Sequence, residues 1–179
     1  MIACIGWGSL AWDPKELPVA STWRTDGPLL PVEFARQSND GRLTLVLTPT
    51  AFLAPTLWVP LEVADMNAAV EALRIREGRT RRQWIGRWSG AASEGDSITE
   101  LISEWGQAVG LDGVVWTALP PKFNGEEGRV PTVLEAIDYL DSLKGTTRVW
   151  AEEYVRRTPP QVRTRYRITI EERLGWSPR

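Results

Sequence analysis

The chain has 179 residues, 21 basic and 23 acidic side chains, a formal net charge of −2, no histidine and one cysteine. The near-neutral balance argues against a general binder of nucleic acid or anionic membranes, which usually carries a basic excess. The missing histidine excludes Ser-His-Asp and Cys-His catalysis and the common histidine-containing zinc sites, and a lone cysteine allows no internal disulfide.

This length fits a single domain over 1–179 with a sizeable core. Any general base must be Asp, Glu, Tyr or one of Lys15, Lys122 and Lys144. The ten tryptophans are expected mainly in the core or at its edge. The apolar start is too short for a secretory leader and no run reaches a membrane span, so a soluble, cytoplasmic protein is expected.

Residues 2–6 read as a buried strand, with Cys4 a small buried hydrophobe. Residues 11–30 carry Asp13-Pro14, Leu17-Pro18 and Asp26-Gly27-Pro28, a loop with fixed turns. Two strand-like runs, 32–37 and 42–48, flank Asn39-Asp40-Gly41, a strong hairpin signal. Residues 57–63 alternate like a strand, and Pro60 places it at an edge or bulge. A helix is expected over 65–77 with Asp65 as N-cap and Gly78 past its end. A second begins at Ser97 with Glu100 completing a capping box, and Gly110 closes it. Segment 86–97, small and polar, is the candidate mobile loop. Residues 113–119 read as a buried strand. A third helix begins near Thr132, paired with Glu135, and ends before Gly145. Finally, 162–171 alternates strictly, placing Arg163, Arg165 and Arg167 on one strand face. Strands interspersed with a few helices favour an α+β fold.

Two features carry chemistry. Gly6-Trp7-Gly8-Ser9-Leu10 follows the first strand. It is not a dinucleotide fingerprint, because Asp13-Pro14 and Pro18 follow where a helix would have to start. Successive backbone N–H groups in such a turn can cradle a carboxylate or oxyanion, with Ser9 adding a hydroxyl. Equally, the glycines can serve only a tight strand exit. The second feature is Glu77. At about 100° per residue it falls on the apolar stripe of Met66, Ala69, Val70 and Leu73. Desolvation and the negative end of the helix dipole would raise its pKa, as suits a base near neutral pH. The other reading has Glu77 swing to solvent and pair with Arg74, Arg81 or Arg82.

The segment IGWGSLAWDP resembles the N-terminal motif of γ-glutamylcyclotransferase-like proteins of the ChaC type, Gly-Tyr-Gly-Ser-Leu-Ile-Trp-x-Pro. Phe34, Ser38, Asp40 and Arg42 resemble that group's Phe-x-x-x-Ser-x-Asp-x-Arg segment. AVEALRIRE, 69–77, resembles its helix ending in Leu-x-x-Arg-Glu, whose last residue is the catalytic glutamate. The likeness covers roughly the first 80 residues. Trp7 stands where the family has tyrosine, Val32 where the ChaC hairpin has arginine, and no tyrosine follows soon after Glu77. Tyr139 lies in a segment similar to a family Tyr-Leu pair.

The resemblance implies a closed mixed β-barrel with flanking helices. It also implies cyclisation of a γ-glutamyl group to 5-oxoproline with release of an amine or amino acid. Glu77 would be the base; Gly8, Ser9 and Leu10 would form the oxyanion and carboxylate cradle, and Trp7 and Arg42 the pocket walls. No metal or cofactor is implied, and the partner is a small γ-glutamyl substrate. A related acyl-transfer role shares these residues and differs only in substrate, trimming a γ-glutamyl or similar group from a natural product or modified amine. Two alternatives of other classes stand beside it. One is a non-catalytic carboxylate- or γ-glutamyl-binding module on the same fold. The other is a nucleic-acid or acidic-partner binder using the arginine row at 163–167, set against a solvated face paired with Glu171 and Glu172.

Overall fold

A computed structural model of the chain describes residues 1–78, 80–90 and 96–178. Its elements in chain order are β1 (Ile2–Gly6), β2 (Leu29–Gln37), β3 (Leu43–Leu47), β4 (Leu53–Pro55), β5 (Leu57–Pro60), α1 (Met66–Arg76), β6 (Ile85–Trp88), α2 (Ser97–Val109), β7 (Gly113–Thr117), β8 (Lys122–Phe123), β9 (Glu126–Glu127), α3 (Val133–Ser142), α4 (Gly145–Arg157) and α5 (Arg165–Leu174). The expected α+β class is observed, with the strands in two mixed sheets. The chain divides into two compact units, each assembled from separated segments.

The first unit comprises Met1–Gly6, Asp13–Leu30 and Pro55–Leu119. Its sheet has the order β5-β1-β7-β6. β1 runs antiparallel to β5 and parallel to β7. An inner strand is covered on both faces, so its apolar run is continuous: Ala3, Cys4 and Ile5 are fully buried. β5 is an edge strand, as Pro60 requires, since proline gives no N–H to a ladder. The turn-rich segment 13–30 lies beside β5, where Arg24 and Trp58 exchange backbone hydrogen bonds of 2.8 and 3.1 Å. The Trp58 indole donates to Asp26 at 2.9 Å.

α1 starts as expected, with the Asp65 carboxylate accepting from the Ala68 N–H at 2.9 Å. Ala69, Val70 and Leu73 are its buried stripe, packed against β6 and β7. α2 begins differently from its expected capping box. Its N-cap is Asp96, one residue earlier, accepting from the Thr99 N–H at 2.8 Å. A carboxylate at this position also meets the positive end of the helix dipole. Gly110 ends α2 at a φ of 77°, a left-handed conformation that suits glycine. In the segment expected to be a mobile loop, 86–88 instead belong to β6, while 91–95 lie outside the described residues.

The second unit comprises Trp7–Trp12, Pro31–Ala54 and Pro120–Arg179. Its sheet has the order β3-β2-β8-β9, with β4 also on β2. The hairpin at Asn39-Asp40-Gly41 forms as its sequence predicts. Gly41 has a φ of 83°, its N–H donates to the Ser38 carbonyl at 3.0 Å, and the Ser38 N–H donates to the Arg42 carbonyl at 2.9 Å. α3 has the expected capping box, Thr132 and Glu135 each bonding the other's backbone N–H.

The C-terminal reading is corrected. Residues 162–171 are not a strand: Thr164 caps α5 by accepting from the Arg167 N–H at 3.2 Å, and Gly175 closes the helix at a φ of 71°. The supposed arginine face therefore does not exist as a row. Arg167 is fully buried and spent on the carbonyls of Thr158, Pro159 and Val162. α4 was not anticipated in the sequence at all.

Candidate functional site

Glu77 follows the last helical residue of α1, its own N–H donating to the Leu73 carbonyl at 3.0 Å. Of the two readings open from its position, the structure shows the inward one, with the side chain only 16% exposed. The partner is none of the three expected arginines. Arg76 Nη1 donates to Glu77 Oε1 at 2.7 Å. The Arg76 guanidinium is itself buried, because Nε and Nη2 donate to the Asp13 carbonyl at 3.2 and 2.6 Å. That arginine was visible in the Leu-x-x-Arg-Glu pattern, but no role was read into it. Arg74, by contrast, forks onto Glu71 on its own helix. Glu77 also acts on β1: burial pushes the Cys4 thiol up, the Glu77 carboxylate adds to the rise, and Arg76 opposes it. A thiol held in this way is not a thiolate nucleophile.

The loop after β1 belongs to the second unit. It is a single tight turn over Ser9–Ala11, with no helix after it, as the prolines require. The turn's own bonds use the N–H groups of Ala11, to the Gly8 carbonyl at 3.0 Å, and of Trp12, to the Ser9 carbonyl at 3.3 Å. The N–H groups of Ser9 and Leu10 precede any acceptor such a turn supplies. Leu10 is buried and Ser9 half-buried. Trp7 is 4% exposed, and its indole N–H donates to the Leu45 carbonyl on β3 at 3.2 Å. The indole thus anchors the loop to a sheet edge, a role a tyrosine hydroxyl would have to fill from a different position.

Arg42 lies next to the loop's surroundings in this unit. Its guanidinium binds Asp40, with Nη2 at 2.8 Å and Nε at 3.0 Å, and stands over the Tyr154 ring at 5.5 Å. Burial alone would raise the Asp40 carboxyl, but the bonds from Arg42 and Ser38 outweigh it and hold it below its ordinary value. Tyr139 donates its hydroxyl to the Gly41 carbonyl at 2.6 Å. The Ser38-Asp40-Arg42 motif is therefore the internal bracing of a hairpin.

Sequence reasoning missed Glu33. It is 4% exposed on β2, and Thr164, Phe34 and Tyr166 donate to it, the last two through backbone N–H at 2.9 and 3.2 Å. It closes the N-terminus of α5, where a carboxylate meets the positive helix end. Nothing in an alternating strand marks such a residue, because its partner is 131 residues away. Burial, the largest influence, raises its carboxyl above the ordinary 4.5, although the three donors oppose the shift. A raised folded-state value means that the proton's contribution to stability is fully present below the unfolded value of about 4.5. It is lost as pH rises through the folded value. The stability advantage of the parent over Glu33→Gln is therefore expected to shrink as pH climbs above about 4.5. Denaturant midpoints at a series of pH values measure this, and an advantage that grows with pH would contradict it.

Among the described residues, no group of three or more His, Cys, Asp or Glu side chains is placed to hold a metal ion. Nor is any helix long and apolar enough to cross a membrane. Compared with models of known families, with curated proteins and with solved structures, the chain matches none.

Proposed function

We propose that the chain cyclises a γ-glutamyl amine or γ-glutamyl amino acid to 5-oxoproline, releasing the amine, by acyl transfer within the substrate. The observation that carries the reading is Glu77: a carboxylate drawn inward at the end of an apolar helical stripe, 16% exposed, in a chain without histidine. The closed mixed barrel of γ-glutamylcyclotransferase-like proteins belongs to this proposal as its fold.

In this reaction the substrate's own α-amine is the nucleophile. Glu77 takes a proton from the α-ammonium. The neutral amine attacks the γ-carbonyl, a C–N bond forms, and the carbonyl oxygen becomes an oxyanion. Glu77 returns its proton to the leaving nitrogen, the bond to that nitrogen breaks as the oxyanion collapses, and the second proton of the attacking nitrogen passes to the released amine, which departs as ammonium. No water enters the product. Backbone N–H groups of Gly8, Ser9 and Leu10 would hold the α-carboxylate and the oxyanion, with Trp7 and Arg42 as walls. The attack is already intramolecular, so the protein's part is to hold the substrate folded in a near-attack geometry.

One observation favours the binding-module alternative: Arg76 already engages Glu77 at 2.7 Å, so the carboxylate can serve as a fixed structural ion. Incubation with γ-glutamyl dipeptides, γ-glutamyl amines and glutathione separates the two. 5-Oxoproline formed at a rate proportional to protein supports catalysis. Saturable binding of these compounds without product supports the module.

A further inference from the structure

We infer that Tyr154 is a positioning residue for the Trp7–Leu10 loop, and that its hydroxyl is the reason position 8 is glycine. The functional consequence rests on the cyclotransferase reading; the structural relation does not.

Gly8 has a φ of −128° and a ψ of −139°; the φ is not left-handed, so handedness alone does not call for glycine there. Space does. A Cβ built on Gly8 would collide with the Tyr154 hydroxyl and would lie 3.4 Å from the ring carbon that bears it. The hydroxyl thus occupies the volume that every other residue's side chain would need.

The hydroxyl is itself fixed. Tyr154, on α4, is 5% exposed, and its oxygen accepts the Leu45 N–H at 3.2 Å. The Leu45 carbonyl takes the Trp7 indole. β3 is at the edge of its sheet, so both polar groups of Leu45 are met by side chains, one from the loop and one from the residue that bears on the loop. The Tyr154 ring meets Trp12 edge-on at 5.5 Å and Phe34 at 6.2 Å. One tyrosine therefore bears on the loop at two points, its hydroxyl filling the space beside Gly8 and its ring meeting Trp12.

The test uses four proteins: the parent, Gly8→Ala, Tyr154→Phe and the double variant, assayed for kcat and KM on a γ-glutamyl dipeptide and for thermal midpoint. Gly8→Ala is expected to lower kcat/KM by about 100-fold, the scale of a misplaced reacting group. Tyr154→Phe removes the oxygen that the new methyl strikes, so the double variant is expected to recover most of that loss. Tyr154→Phe alone is expected to lower kcat by about 10-fold with little change in KM, the sign of an interaction felt mainly in the transition state. An active, unimpaired Gly8→Ala, a double variant no better than Gly8→Ala, or a Tyr154→Phe that is less stable yet keeps the parent's kcat would each overturn the inference. A parent that makes no 5-oxoproline defeats the cyclotransferase reading instead. The thermal midpoints then decide: Tyr154→Phe must still rescue Gly8→Ala, and failure to do so overturns the positioning claim.

Discussion

Glu77→Gln is expected to leave the chain folded and, under the proposed cyclotransferase reaction, to lower turnover of a γ-glutamyl substrate by roughly 100- to 10,000-fold, the usual worth of a positioned general base. An amide of the same shape cannot accept the α-ammonium proton, so the nucleophile stays protonated. The variant also converts the Arg76–Glu77 ion pair at 2.7 Å into a hydrogen bond to a neutral oxygen. Arg76 keeps its two bonds to the Asp13 carbonyl, so a modest stability loss is expected, on the order of 1–2 kcal/mol. A circular dichroism spectrum and thermal midpoint near the parent's, together with rates of 5-oxoproline release, separate a chemical loss from an unfolding one. Full activity in Glu77→Gln would remove Glu77 from the mechanism.

Arg167→Ala is expected to destabilise the second unit by about 3–5 kcal/mol, the scale for breaking a buried ion pair from one side. The guanidinium is fully buried. It bonds the Thr158, Pro159 and Val162 carbonyls at 2.8, 2.7 and 3.0 Å and pairs with Glu171 at 3.0 Å. Truncation strands these acceptors and a carboxylate that is 14% exposed. At roughly 2–4 °C per kcal/mol for a chain of this size, the thermal midpoint falls by about 6–20 °C. Arg167→Lys should recover part of the loss, because a compact ammonium cannot reproduce the planar fork that spans these acceptors. A midpoint within a degree or two of the parent's in Arg167→Ala would contradict the role assigned to this side chain.

Arg167 also marks where sequence reasoning reached its limit. The strict two-face alternation over 162–171, with Val162, Thr164, Tyr166, Ile168 and Ile170 on one face, has the period of a strand, yet the segment holds a capped helix. Thr164 and Gly175 are cap residues that the alternating period masks. What decided the outcome is non-local: Glu33, on a distant strand, supplies the acceptor for the helix N-terminus. α1, the hairpin and α3 were legible because their determinants are local: an Asp65 cap, an Asn-Asp-Gly turn and a Thr132–Glu135 box. At the candidate site, helix geometry put Glu77 on the apolar stripe but left a swing to solvent as the other reading; the structure shows the side chain inward. Its pairing with Arg76 was not legible, because adjacent helical residues point in different directions; the pairing depends on the Asp13 carbonyl drawing Arg76 inward. Tyr154 was invisible for the same reason as Glu33, since the positions it braces lie more than a hundred residues away.

The central claim is that the substrate's amine, not water, attacks the γ-carbonyl. It is tested most directly by turnover of a γ-glutamyl dipeptide in ¹⁸O-labelled water, with products resolved by mass spectrometry. The account predicts unlabelled 5-oxoproline, equimolar with the released amino acid, and none above background from Glu77→Gln. Glutamate carrying ¹⁸O in its γ-carboxylate would show hydrolysis and contradict the account.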